Sequence, residues 1–220
     1  MNGVRNDGCE RRSDEVTTTR VRRRERNRAA ILESARELIV ERGPENLSLR
    51  EVAARAEYSP AALYRYFRDK DALVAAAAEE ALDSLAAYFA DVPTELPPSE
   101  RIAALGLRYL DFARDDPERF TLIFTRLPIP FATWEQFVEQ AWPFSVLLDE
   151  VRKGVRAGEL QVAPGRGAAE IAYGCWAFVH GLALLRLTRM RGVAADFDAM
   201  HRVLVRSWVR SLRKSGRGRR

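Results

Sequence analysis

Apolar residues recur along most of this chain at intervals of three and four, the spacing that lays one stripe along an α-helix. No stretch alternates as a half-buried strand would, and no internal repeat stands out. Over residues 27–42, Ile31, Leu32, Ala35, Leu38 and Ile39 form one apolar face, and Gly43-Pro44 ends the pattern. Ser48 with Glu51 three residues on predicts a capping box opening a second helix, with Val52, Ala53 and Ala56 turned inward. Ser59 as cap and Pro60 at the first helical position open a third helix, ending near Phe67. Asp69 caps a longer helix over 70–90, ahead of a linker from Pro93 to Pro98.

Beyond the linker, Ser99 is the expected cap of a helix over 99–114, and Asp116-Pro117 opens another that Leu127-Pro128-Ile129-Pro130 stops. Thr133 starts a helix over 133–157 that Pro143 is expected to kink or split and Gly158 to close. Two long helices, over 167–190 and 196–214, complete an all-α chain of about nine helices. The expected organisation is a disordered basic arm (1–26), a small helical head (27–75), a larger helical domain (76–214) and a basic tail (215–220).

Composition narrows the class. With 220 residues, 47% hydrophobic and 30% charged, the chain is an ordinary globular protein able to bury roughly 70% of its unfolded surface. Two cysteines and two histidines supply neither a disulfide framework nor a zinc site, so no metal or cofactor is expected. The most apolar run, 171–185, falls short of a membrane span and contains His180, and the charged N-terminus has no secretory pattern. A cytoplasmic protein without a membrane partner is expected.

The net charge of +5 is unevenly placed: residues 1–19 carry −1, 20–28 carry +5, 29–205 carry −6 and 206–220 carry +7. Arg20, Arg22, Arg23, Arg24, Arg26 and Arg28 thus lead straight into the first helix. There they can neutralise phosphates or enter a minor groove. The tail, with Arg206, Arg210, Arg213 and Lys214 at its start, reads equally well as a solubilising segment.

Two short helices joined by Glu57-Tyr58-Ser59 make a helix-turn-helix, whose second helix can lie in a major groove. The run Leu63-Tyr64-Arg65-Tyr66-Phe67-Arg68-Asp69-Lys70-Asp71-Ala72-Leu73 resembles the Leu-Tyr-x-Tyr-Phe-x-x-Lys-x-x-Leu signature of TetR-family bacterial transcriptional repressors. The upstream positions Ile31-Leu32, Gly43, Ser48 and Val52-Ala53 sit at that family's spacing as well.

Leu63 and Phe67 share a face that must pack inward, leaving Pro60, Ala61, Tyr64, Arg65 and Tyr66 more exposed. The resemblance implies that Tyr64, Tyr66 and Lys70 clamp phosphates and that Ser48 and Arg50 touch the backbone. Arg65 is the long donor suited to guanine O6 and N7, or to a phosphate, while Pro60, Ala61 and Ala62 offer apolar surface to a thymine methyl. Glu57 departs from the pattern, since the family places glycine in the turn. A left-handed backbone there is expected to be strained.

Trp176 and His180, with Gly181, resemble the Trp-x-x-x-His-Gly motif of one TetR subgroup. They share a helical face and can line a cavity, although a satisfied core histidine is the commoner outcome. Phe112, Phe120, Phe124, Trp134, Phe137 and Trp142 complete a candidate pocket for an apolar or aromatic molecule. Ile171, Cys175, Phe178, Leu182, Leu185, Leu204 and Trp208 make the last two helices apolar around more of their circumference than a monomer needs, which points to a homodimer.

The function expected is a ligand-responsive regulator released from a palindromic DNA operator by a small effector. The alternative is a constitutive DNA-binding protein without a ligand. No phosphate loop or nucleophile elbow favours an enzyme, and Gly165-x-Gly167 lacks the third glycine and the preceding strand of a dinucleotide site.

Overall fold

The structure, a computed structural model, describes residues 7–162 and 167–214, with side chains from residue 19 onward. The tail expected over 215–220 lies outside the described residues. Ten α-helices and no strand occur among the described residues: α1 (Asp7–Arg42), α2 (Leu49–Arg55), α3 (Pro60–Leu63), α4 (Lys70–Ala90), α5 (Pro98–Asp115), α6 (Pro117–Thr121), α7 (Trp134–Gln140), α8 (Phe144–Arg156), α9 (Ala168–Leu187) and α10 (Phe197–Ser211). Contacts divide the chain into two compact units, Met1–Glu79 and Glu80–Arg220.

The first unit follows the apolar pattern closely. Ile31, Leu32, Ala35, Leu38 and Ile39 of α1 are buried with Val52 and Ala53 of α2 and with Leu63, Phe67 and Leu73. Gly43, at φ 85°, ends α1 where expected, taking the backbone into a region that favours glycine. Two local readings need correction. α1 begins at Asp7 instead of residue 27, so the described part of the segment read as a disordered arm has helical backbone. Its Arg and Glu residues are good helix formers, and neither Gly nor Pro interrupts the chain between Gly8 and Gly43. The capping box at Ser48 is not formed: Ser48 is the N-cap but its side chain makes no cap bond, and Glu51 accepts from Arg42 Nη1 at 3.2 Å instead.

In the second unit α5 is the central helix, packing on α6, α8, α9 and α10. At Gly106 a Cβ would stand 3.1 Å from a Val179 methyl and 3.4 Å from a Val205 methyl, so glycine is what lets α5 approach α9 and α10 this closely. Phe112, Phe120, Leu122, Leu148 and Val151 form the centre of the core. α5 starts at Pro98 with Pro97 as N-cap, and Ser99 is not the cap: its hydroxyl donates to Glu159. Pro143 does split the helix expected over 133–157, giving α7 and α8, and Gly158 closes α8 at φ 69°. Asp116 and Asp196 cap α6 and α10, accepting from the amides of Arg119 at 3.0 Å and Ala199 at 2.8 Å.

α9 is longer than the apolar run suggested, and by length and composition alone it could cross a membrane. Within this unit it packs on α5, α8 and α10, burying Ala172, Cys175, Val179 and Ala183.

Candidate functional site

The second helix of the helix-turn-helix, α3, is built from the turn outward. Tyr58 N–H donates to the Ala53 carbonyl at 2.8 Å and Glu57 N–H to the Ala54 carbonyl at 3.2 Å. This pair of bonds is a Schellman closure of α2, and it places Glu57 at the position that adopts the left-handed conformation. Glu57 has φ 60° and is the one non-glycine residue with positive φ among those described, as expected of the strained turn. Ser59 then caps α3, its hydroxyl accepting from the Ala62 amide at 3.2 Å. The α-helical part ends at Leu63, and the chain continues to Phe67 in a tighter turn in which Arg65 N–H reaches the Ala62 carbonyl and Tyr66 N–H the Leu63 carbonyl.

Leu63 and Phe67 are buried, which turns Pro60, Ala61, Tyr64 and Arg65 outward into solvent, with Tyr64 57% exposed. Arg50 of α2 is exposed too, whereas Ser48 and Ala62 are half-buried. Tyr66 and Lys70 are also half-buried, each for a stated reason. The Tyr66 hydroxyl accepts from Asn27 Nδ2 at 3.1 Å, and Lys70 Nζ donates to the Glu45 carbonyl at 3.1 Å. These bonds tie the segment around α3 to α1 and to the α1–α2 connection while leaving Lys70 two further donor protons and Tyr66 its own. Arg28 lays its guanidinium over the Phe67 ring, 5.6 Å from the centroid. Asn27 and Glu45 were not legible as site residues, because their roles arise only when residues 39 and 25 positions away are brought alongside. Arg55 anchors α2 to α1 through Glu41 at 2.8 Å and 3.2 Å, and this bond holds the Glu41 carboxyl below its ordinary range.

In the second unit, His180 Nδ1 lies 2.8 Å from the Tyr109 hydroxyl, which also accepts from Trp176 Nε1 at 3.4 Å. Since the indole can only donate, Tyr109 is free to donate its own proton to Nδ1, leaving Nε2 as the N–H of a neutral imidazole. Burial supports this state by lowering the His180 pKa and raising that of Tyr109. Phe120 stacks on the imidazole at 5.7 Å and Phe124 meets it edge-on at 5.6 Å. Tyr109 is the member that sequence reasoning missed: it sits 71 residues from its partner and belongs to no motif.

The candidate pocket residues occupy different parts of the second unit, from its core to its surface. Phe112 and Phe120 are fully buried core side chains. Phe137 stacks on Trp176 at 5.8 Å and Trp134 on Phe137 at 5.6 Å, extending the aromatic cluster toward the surface. Trp142 packs on Phe89 instead, at 6.2 Å. A cleft of about 150 Å³ lies elsewhere, between α5, α9 and α10, lined by Arg114, Arg186, Asp198 and His201 among others.

Of the residues expected at a dimer face, Cys175 is buried within its own protomer, and burial pushes its thiol up to about 11. Ile171, Phe178 and Leu182 are half-buried, while Leu185, Leu204 and Trp208 are exposed. Trp208 stacks flat on Phe178, with centroids 4.8 Å apart, and the pair joins α9 to α10 along one apolar face. Met200 and Val203 of α10 are exposed as well.

The comparisons agree with this arrangement. Residues 31–77 match the family model for bacterial regulatory proteins of the tetR family, and residues 102–208 match that of the tetracyclin repressor-like C-terminal domain. The HTH-type transcriptional repressor Rv3405c of Mycobacterium tuberculosis is 45% identical over 53 residues, which is 24% of this chain and 28% of that protein. The similarity to this curated relative therefore spans a little over a quarter of its length. A solved protein of unknown function from Rhodococcus sp. RHA1 is 26% identical, with a TM-score of 0.65 over 86% of this chain and 96% of its own. A regulatory protein of the tetR family from Rhodococcus RHA1, 19% identical, shares the fold with a TM-score of 0.66 over 84% of this chain and 96% of its own. With both family models matched in chain order, one on each compact unit, the chain belongs to the TetR family of bacterial regulatory proteins.

Proposed function

We propose that this protein is a homodimeric, ligand-responsive transcriptional regulator of the bacterial cytoplasm that represses from a palindromic operator. The observation that carries the reading is α3 with the turn that continues it: Leu63 and Phe67 face inward, so Tyr64 and Arg65 stand exposed on a segment braced at Asn27 and Glu45. Arg65 reads a guanine in the major groove, and Tyr64, Tyr66 and Lys70 grip phosphates on either side, with Ser48 and Arg50 as further backbone contacts.

Pairing through the apolar face of α9 and α10 duplicates the reader at roughly 34 Å, one turn of the duplex. The aromatic cluster around Trp176 and His180 is the effector site, consistent with the Trp-x-x-x-His-Gly subgroup; an apolar or aromatic molecule enters beside Phe137 and Trp134, where the cluster nears the surface. The effector works only through its preference for the released state, each ~1.4 kcal/mol shifting the balance about tenfold.

The second reading, a constitutive DNA-binding protein, draws on the same cluster. Phe112 and Phe120 are fully buried and His180 Nδ1 is satisfied by Tyr109, as in a finished core. A footprint on the DNA upstream of the protein's own gene tests the regulator: two protected half-sites are expected, and protection no stronger than on random duplex refutes it. Thermal shift against small aromatic compounds, followed by release of the footprint, decides between the two readings.

A further inference from the structure

We propose that the basic stretch before the head is a second, helical DNA-contacting element, and that it touches phosphates along one row of arginines, Arg20 and Arg24, with Arg28 as its anchor. This rests on the reading of the head as a DNA binder and adds a contact surface outside the helix-turn-helix. The backbone from residue 7 to residue 42 is one helix, so the arginines at 20–28 have fixed directions instead of those of a loose arm. At about 100° per residue, Arg20, Arg24 and Arg28 fall within one sector of the helix, about 6 Å apart along its axis. Arg22 and Arg26 lie about half a turn round from them. Continued toward the C-terminus, the Arg20 row runs into Ile31, Ala35 and Leu38, the stripe that α1 buries against the rest of the head.

Two contacts set which way the row points. Arg28 covers the Phe67 ring at 5.6 Å, and Asn27 donates to the Tyr66 hydroxyl at 3.1 Å, so the row leaves the head beside the end of the reader. Residues 20–26 are all exposed, with only Glu25 to offset five arginines. A guanidinium stacked on a ring keeps its in-plane N–H groups, so Arg28 holds the helix to Phe67 without giving up its charge. A row of cations continuing the side of the molecule that carries the reader is placed for the sugar-phosphate backbone flanking the bases read by α3.

Two double variants of equal charge test this: Arg20→Gln with Arg24→Gln, and Arg22→Gln with Arg26→Gln. Glutamine has nearly arginine's helix propensity, and circular dichroism checks that both retain the parent helicity. Binding of the full-length protein to a labelled random duplex long enough for both heads is followed by fluorescence anisotropy against salt. Each lost phosphate contact lowers the slope of log K on log salt by about 0.9, so the first variant should flatten it by about 3 to 4 in a dimer. The second should change it by less than about half as much. Equal losses would mean a flexible, directionless arm and overturn the proposal while leaving the head as a DNA binder. No loss in either variant would remove the stretch from the interface altogether. If the parent protein binds no duplex, the underlying functional reading fails, and this proposal with it.

Discussion

Replacing Glu57 by glycine should stabilise the protein, which is an uncommon outcome for a substitution in a binding motif. Glu57 occupies the left-handed closing position of α2 at φ 60°, fixed by the Tyr58-to-Ala53 and Glu57-to-Ala54 backbone bonds. Holding a residue with a Cβ there costs about 1 to 2 kcal/mol. Glycine removes that strain but loses more freedom on folding, returning roughly 0.5 to 1 kcal/mol. The net gain lies between about 0 and 1.5 kcal/mol, with a midpoint of about 0.75 kcal/mol. If the 79-residue first unit melts independently, this amounts to a rise of about 4 °C in Tm, and about half that if the chain melts as one. Differential scanning calorimetry measures it, with Glu57→Ala as control: alanine removes the carboxylate but keeps the Cβ, and should melt near the parent. An unchanged or lower Tm for the glycine variant, or an alanine variant that matches it, would refute the strain argument.

Other expectations follow from the remaining contacts. Arg65→Ala should weaken the cognate operator by about 1 to 3 kcal/mol and relax preference at one base pair, whereas Tyr64→Phe should weaken all sequences alike; equal losses everywhere for Arg65→Ala would make it a phosphate contact. Tyr109→Phe leaves both Trp176 Nε1 and His180 Nδ1 without their partner and should cost about 1 to 3 kcal/mol in denaturant unfolding. Burial lowers the pKa of His180 and of His201, so the unfolded chain binds more protons in mild acid. Their contribution is therefore intact above about pH 6.5 and lost below it, and the slope of stability against pH just under that point should shrink in His180→Gln. If the chain pairs as proposed, Leu185→Asp with Leu204→Asp, at positions 52% and 38% exposed, should leave the helical content intact and convert the dimer to monomer in sedimentation velocity. A variant that stays dimeric would move the interface away from α9 and α10.

Much of this protein was determined by local sequence alone. The 3.6-residue stripes, the Ser59, Asp69 and Asp116 caps, Gly43 and Gly158 as terminators and Pro143 as a breaker all act within one or two turns, so the all-α class and the helix-turn-helix were legible without a structure. The Glu57 strain was legible only through the family resemblance, which places glycine at that turn, and the positive φ there bears it out. Tertiary packing decided the rest. Whether Ser48 and Glu51 formed a capping box depended on Arg42 of another helix competing for the carboxylate. Whether Cys175 faced a partner or its own core depended on where α5 and α10 settled. The aromatic residues could be counted but not sorted, since similar helical spacing serves Phe112 in the core, Trp142 on Phe89 and Phe137 on Trp176. The partner of His180 lies 71 residues away, and only folding in three dimensions brings that hydroxyl to the imidazole. Periodicity specifies which face of a helix is apolar; what that face meets is set by the packing of the other helices.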